Sequence, residues 1–169
     1  MAKSTFSGPV KSLAGFISAG VNNSVSLTAD TTLTVDAHAG KILLCNDADG
    51  KFTLPSIVST TPSDPTDPNQ ANNIGASFYF YIETAATDLD ILTDGTDKFK
   101  GAVLVAVDDG AKKAFVPAAS NDVMTMNGST KGGIAGSVVR VTAIDAATYL
   151  VHDSLLIGSG TIVTPFADA

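Results

Sequence analysis

Ser77-Phe78-Tyr79-Phe80-Tyr81-Ile82, followed shortly by Asp88-Leu89-Asp90-Ile91-Leu92, decides the fold class of this chain. The first run holds four consecutive aromatic residues, and the second alternates aspartate with aliphatic residues at the period of two that marks a half-buried strand. Upstream, Val25-Ser26-Leu27-Thr28 and Thr31-Thr32-Leu33-Thr34-Val35 alternate around Ala29-Asp30 and predict a hairpin. Lys41 to Cys45 and Phe52 to Leu54 flank the turn-rich Asn46-Asp47-Ala48-Asp49-Gly50 and predict that a meander continues. Downstream, Gly101 to Val107 and Lys113 to Val116 enclose Asp108-Asp109-Gly110, a second hairpin signal. Gly136 to Ile144, Ala147 to Val151 and Thr161 to Val163 complete the set. About ten to twelve short strands at this turn spacing predict an all-β fold, a β-sandwich, jelly roll or barrel.

Composition agrees with the pattern. Glu83 is the only glutamate among 17 acidic residues, so nearly all the acid is aspartate, a turn and cap residue rather than a helix former. No stretch beyond about two turns sustains helical apolar spacing. At 169 residues the chain suits one domain. The division expected is an extended N-terminal arm over 1–23 and a β domain over 24–169, with one long exposed loop at 59–73. That loop region holds three prolines and no large apolar side chain until Ile74, so it adds nothing to a core. The arm carries Phe6, Val10, Leu13, Phe16 and Ile17 between glycines and Pro9, with a short helical turn over Lys11 to Ala19 as the alternative. An arm this apolar needs a surface to lie against.

Charge and cysteine content narrow the function classes. A formal net charge of -7 with no basic stripe argues against a sequence-independent hold on nucleic acid. Charged residues make up only 16%, so threonine, serine, asparagine and glycine must cover much of the exterior, a surface suited to touching neighbours. No run of about eighteen apolar residues suggests a membrane helix, and Ser7, Gly8, Pro9, Lys11 and Ser12 interrupt any signal-peptide core. Synthesis in a reducing cytoplasm is expected. The lone Cys45 follows Leu43 and Leu44 and reads as a buried, inert thiol.

Each candidate for chemistry has an ordinary structural role open to it. Asp47, Asp49, Asp94, Asp97, Asp108 and Asp109 lie near glycines, but calcium-loop spacing fails: Ser56 or Gly101 falls where a bidentate glutamate is required. They read as turn aspartates, and no metal or cofactor is expected. Only His38 and His152 can serve as a catalytic base. His152-Asp153 keeps a hydrolase in view, yet no Gly-x-Ser-x-Gly elbow accompanies it. Ser120-Asn121-Asp122 and Ser129-Thr130-Lys131 lack the Ser-x-x-Lys partner that would give them meaning. Glu83 reads as a solvated strand-end residue, unsuited to glycoside chemistry. Gly128, Gly132, Gly133 and Gly136 read as turn glycines, since no phosphate-loop string or helix start accompanies them. No catalytic residue is assigned, and the chain is not expected to be an enzyme.

A resemblance sharpens the picture. Met1-Ala2-Lys3-Ser4-Thr5-Phe6-Ser7-Gly8-Pro9-Val10-Lys11-Ser12-Leu13 resembles the start of small virion proteins of marine tailed bacteriophages. Thr32-Leu33-Thr34-Val35 with Ala39-Gly40-Lys41, Asp49-Gly50 leading to Phe52-Thr53-Leu54-Pro55, Gly75-Ala76-Ser77-Phe78, Asp94-Gly95-Thr96-Asp97-Lys98, Gly136-Ser137-Val138-Val139 and Tyr149-Leu150-Val151 are similar as well. The likeness runs over most of the chain, through turns and strand edges rather than chemical motifs. It implies a capsid decoration, or cement, protein on the virion surface, a homotrimer partnered by the major capsid protein. Phe6, Val10, Leu13, Phe16 and Ile17 would then contact the capsid, because large apolar groups dominate interface energy. Phe78 and Phe80, or Tyr79 and Tyr81, would meet at the self-association contact, depending on which face of their strand turns inward. The alternative is a tail or fibre module that binds host-surface glycans through the 59–73 loop.

Overall fold

The computed structural model describes residues 23–59, 72–107 and 110–169. The expected capsid-contact residues Phe6, Val10, Leu13, Phe16 and Ile17 lie outside the described residues, as does most of the 59–73 loop. The described chain is nearly all β, with thirteen strands and a single four-residue helix. The strands form an eight-stranded and a five-stranded sheet around one core, the sandwich among the expected architectures.

The first six strands coil. β1 (Ser24–Leu27), β3 (Ile42–Cys45) and β5 (Ser77–Ile82) lie parallel in the large sheet, while β2 (Thr31–Thr32), β4 (Lys51–Thr53) and β6 (Leu89–Leu92) lie parallel in the small one. The chain thus crosses between layers at each step. The expected hairpin over 25–35 and meander over 41–54 are therefore corrected: β1 and β2, like β3 and β4, face each other across the core instead of pairing. Leu27, Leu33, Leu43 and Phe52 are all buried in that shared core, which satisfies the alternation equally well in either arrangement. Asp30 helps the crossing by accepting the Lys51 backbone N–H at 2.9 Å. After Leu33 the expected strand gives way to a helical turn, α1 (Val35–His38), whose start is capped by the Thr34 hydroxyl accepting from Ala37 N.

The second half is longer and mostly antiparallel. β11 (Val138–Asp145) pairs with β5 on one side and with β12 (Thr148–Gly158) on the other. β12 also takes, in succession along its length, β7 (Lys98–Gly101) and β8 (Val103–Val107), both parallel to it. Gly101 makes that succession possible, since it sits at φ +97° and a Cβ there would collide with the carbonyl oxygen of Val151. β8 and β9 (Lys112–Phe115) form the hairpin expected around 108–110. In the small sheet, β10 (Val123–Met126) joins β6 to β13 (Phe166–Ala167). Thr161 to Val163, expected as a strand, is irregular, and the last pairing falls instead on β13.

Aromatic contacts bind the layers. Phe52 of the small sheet stacks on Phe80 of the large one at 6.4 Å between ring centroids, and Phe99 meets Phe166 at 6.3 Å. Each such buried ring contributes about 1.5–3 kcal/mol by its burial. Cys45 lies in the same core, fully buried, and burial pushes its thiol up to about 12, so it is inert as expected.

Candidate functional site

The outer face of the large sheet gathers the side chains with most chemical reach. On β5 the alternation turns Phe78 and Phe80 fully into the core, leaving Tyr79 and Tyr81 outward. Of the two pairs named for self-association, Phe78 and Phe80 are spent on the chain's own core, and Tyr79 and Tyr81 are the pair that faces outward.

A bulge in β12 shapes this face. Between the pairs Arg140–His152 and Val138–Leu155, β12 carries one residue more than β11. Asp153 sits there at φ +46°, the one non-glycine residue with positive φ among the described residues. The extra residue switches the side-chain parity. Leu150 and His152 point outward before it, and Leu155 and Ile157 after it.

Two in-register rows result. The first runs Ser24, Ile42, Tyr79, Arg140, His152 across five strands. The second runs Ser26, Leu44, Tyr81, Val138, Leu155, Leu104, Ala114 across seven. Its five central residues form a continuous apolar band. Tyr81, Leu155 and Leu104 are 36%, 40% and 39% exposed, Val138 is half-buried between Tyr81 and Leu155, and Leu44 is half-buried at the β3 end. At a strand spacing of about 4.8 Å the band is roughly 19 Å long.

A polar network braces the first row. The Asp153 carboxylate lies 3.0 Å from His152 Nδ1 and 3.7 Å from Arg140 Nη1. Because a carboxylate only accepts, the proton of the first contact sits on Nδ1. His152 Nε2 is 2.9 Å from Thr142 Oγ1, which is 3.1 Å from Ser77 Oγ, and Arg140 Nε donates to that same Ser77 oxygen at 3.2 Å. The structure thus brings His152 and Asp153 together with a threonine hydroxyl, not a serine. Acyl transfer also needs N–H donors converging where an oxyanion would form. Here the Arg140 amide is committed to Ser154 Oγ at 2.9 Å, and its neighbours are held in the ladders with β5 and β12. The arrangement fixes side chains in place more than it assembles a reaction centre.

Other candidates occupy structural roles. Asp94 accepts from the amides of Thr96 and Asp97, each at 2.9 Å, closing a turn. Asp97 is buried and accepts from Ile57 N at 2.9 Å; burial raises its carboxyl above the usual value and that hydrogen bond only partly offsets it. Glu83 is exposed and accepts from Asn46 Nδ2 at 2.7 Å. His38 is tied to Thr34 at the helical turn, where its Nδ1 accepts the Thr34 amide at 2.9 Å. Gly128 and Gly132 take positive φ in a tight turn packed on Ala86 and Leu156. Among the described residues, no group of three or more histidine, cysteine, aspartate or glutamate side chains is arranged to hold a metal ion.

Arg140 and Thr142 are the site residues that sequence reading missed. Both fall in the segment Gly136 to Ile144 that the sequence marks as a strand, but alternation alone ranks neither above its neighbours. The one available signal was that Arg140 is the sole arginine in the chain. No family model matches this chain, and no curated protein or solved structure matches it significantly.

Proposed function

We propose that this chain is a virion structural protein, a capsid decoration protein that docks through the outer face of its large sheet. The observation that carries the reading is the apolar band Leu44, Tyr81, Val138, Leu155, Leu104, partly exposed along the outer face of the large sheet. A contiguous apolar strip on a weakly charged exterior is a contact surface by its chemistry, because water leaves it at a gain in free energy. The resemblance to phage virion proteins supports the same reading. In it, the chain acts as a trimer, and the segment with Phe6, Val10, Leu13, Phe16 and Ile17 joins the band in anchoring to the major capsid protein.

Gel densitometry of purified particles tests this directly. The chain is expected at a copy number comparable with the major capsid protein, and a handful of copies per particle refutes the reading. Replacing both Tyr81 and Leu155 by Asp should leave the domain folded, since both side chains already face water, while abolishing co-sedimentation with particles.

A further inference from the structure

The outer face also contains a cleft of about 430 Å³, lined by Gly40, Lys41, Ile42, Ser77, Tyr79 and Arg140. Its origin is a size contrast. Ser77, the first residue of β5, is short, whereas Lys41 beside it on the β3 side and Arg140 on β11 are long. The walls stand two strand spacings apart, roughly 10 Å. The volume falls within the range of about 300–1,000 Å³ usual for small-ligand sites.

The lining has a definite chemistry. It holds two cations and no carboxylate, on a chain whose formal net charge is -7. Arg140 is pre-oriented because its Nε donates to Ser77 Oγ at 3.2 Å. Its Nη1 forms an ion pair with Asp153 Oδ2 at 3.7 Å, beyond hydrogen-bond distance, so the N–H donors of the Nη edge are not spent on that carboxylate. A planar fork of this kind matches a carboxylate in a bidentate fashion. Lys41 Nζ donates to Ala37 O at 2.7 Å and retains further N–H donors. Tyr79 and Ile42, register partners on β5 and β3, supply an apolar end to the same cleft. The combination of a guanidinium fork, edge donors from Lys41 and Ser77, and an aromatic wall fits a hydroxylated ring bearing a carboxylate.

We propose that this cleft binds a uronic acid, with its carboxylate on the Nη edge of Arg140, its ring against Tyr79 and its hydroxyls toward Ser77 and Lys41. The cleft opens two residues along the strands from the apolar band, at Tyr79 instead of Tyr81 and at Arg140 instead of Val138. The inference therefore does not depend on the docking role of that band.

Amide chemical-shift titration of the full chain with D-glucuronate, and in parallel with uncharged D-glucose, tests the proposal. Saturable shifts are expected at residues 40–42, 77–79 and 140–142, with glucuronate binding about ten-fold or more tighter than glucose, as one charge-assisted pair provides. Arg140→Gln should erase that preference, and Lys41→Gln should weaken it by a smaller factor; the second variant covers the case in which the first perturbs the sheet. A titration with tri-galacturonate separates the sources: tighter binding than the monosaccharide marks an acidic polysaccharide, and weaker binding marks the free acid. Absence of saturable shifts at these residues, an equal response to glucose, or unchanged discrimination in Arg140→Gln overturns the assignment.

Discussion

Asn73 shows how much a single side chain carries in this protein. It is almost fully buried, its Oδ1 accepts the Val58 amide at 2.7 Å, its Nδ2 donates to Ser56 O at 2.9 Å, and its own amide donates to Val58 O at 3.0 Å. The two ends of the long excursion between β4 and β5 are thereby held together. The Tyr149 hydroxyl, donating to Pro55 O at 2.6 Å, and Asp97, accepting from Ile57, fix the same strip from the other side. Asn73→Ala removes both side-chain hydrogen bonds that tie residues 56–58 to the far end of the excursion, so a loss of about 1–3 kcal/mol is expected in urea unfolding. Asn73→Asp should also destabilise, because a carboxylate cannot donate to Ser56 O. Nothing in the sequence singles this residue out. It stands in a run of Asn, Gln and Ala that reads as loop, and polar composition does not tell which polar group is folded inward. Cys45, by contrast, was legible, because it closes the apolar run Ile42-Leu43-Leu44 at the end of a strand.

At the scale of the strand, the bulge at Asp153 governs which residues reach the outer face. Positive φ is tolerated by aspartate better than by most residues but is closed to β-branched ones. Asp153→Val should therefore cost about 1–3 kcal/mol. Asp153→Gly relieves the backbone and should retain most of the stability while freeing His152 Nδ1. Thermal melts of the two variants distinguish these outcomes, and equal destabilisation would show that the side-chain contacts, not the backbone, matter most. Strand existence was legible from alternation, as at β5, β6 and the β8–β9 hairpin. Pairing was not. A period of two reports which face of a strand is buried, and Leu27 and Leu33 are buried whether their strands lie side by side or face to face across a core. The same limit hid the bulge, since the residues Val151 to Leu156 carry no glycine or proline to mark it.

Over the whole molecule, the C-terminal end is closed by a charged contact. Lys98 Nζ lies 2.6 Å from Asp122 Oδ2, and the Ala169 amide donates to Asp122 Oδ1 at 2.9 Å. Burial by itself would raise the Asp122 carboxyl, but these hydrogen bonds outweigh it and hold the group below the usual 3.8. A depressed folded value contributes stability that is full above the ordinary value and is lost as pH falls through the folded one. Asp97, raised by burial, works in the opposite sense: its contribution declines as pH rises from 3.8 through its folded value. Asp122→Asn should thus flatten the acid limb of a melting-temperature profile below about pH 5, and Asp97→Asn, which still accepts from Ile57 N, should raise stability at neutral pH. Identical profiles for the three proteins would refute this assignment. The coiled first half carries a different implication for how such a chain changes over generations. One coil spans 18 residues from Ser24 to its neighbour Ile42, and every coil leaves one rib in each layer. Duplicating a coil would thicken both layers together and keep the earlier ribs in step, as adding a ring lengthens a spring. The antiparallel half has no such freedom, because a strand inserted between β11 and β12 would part the bulge from the arginine it faces.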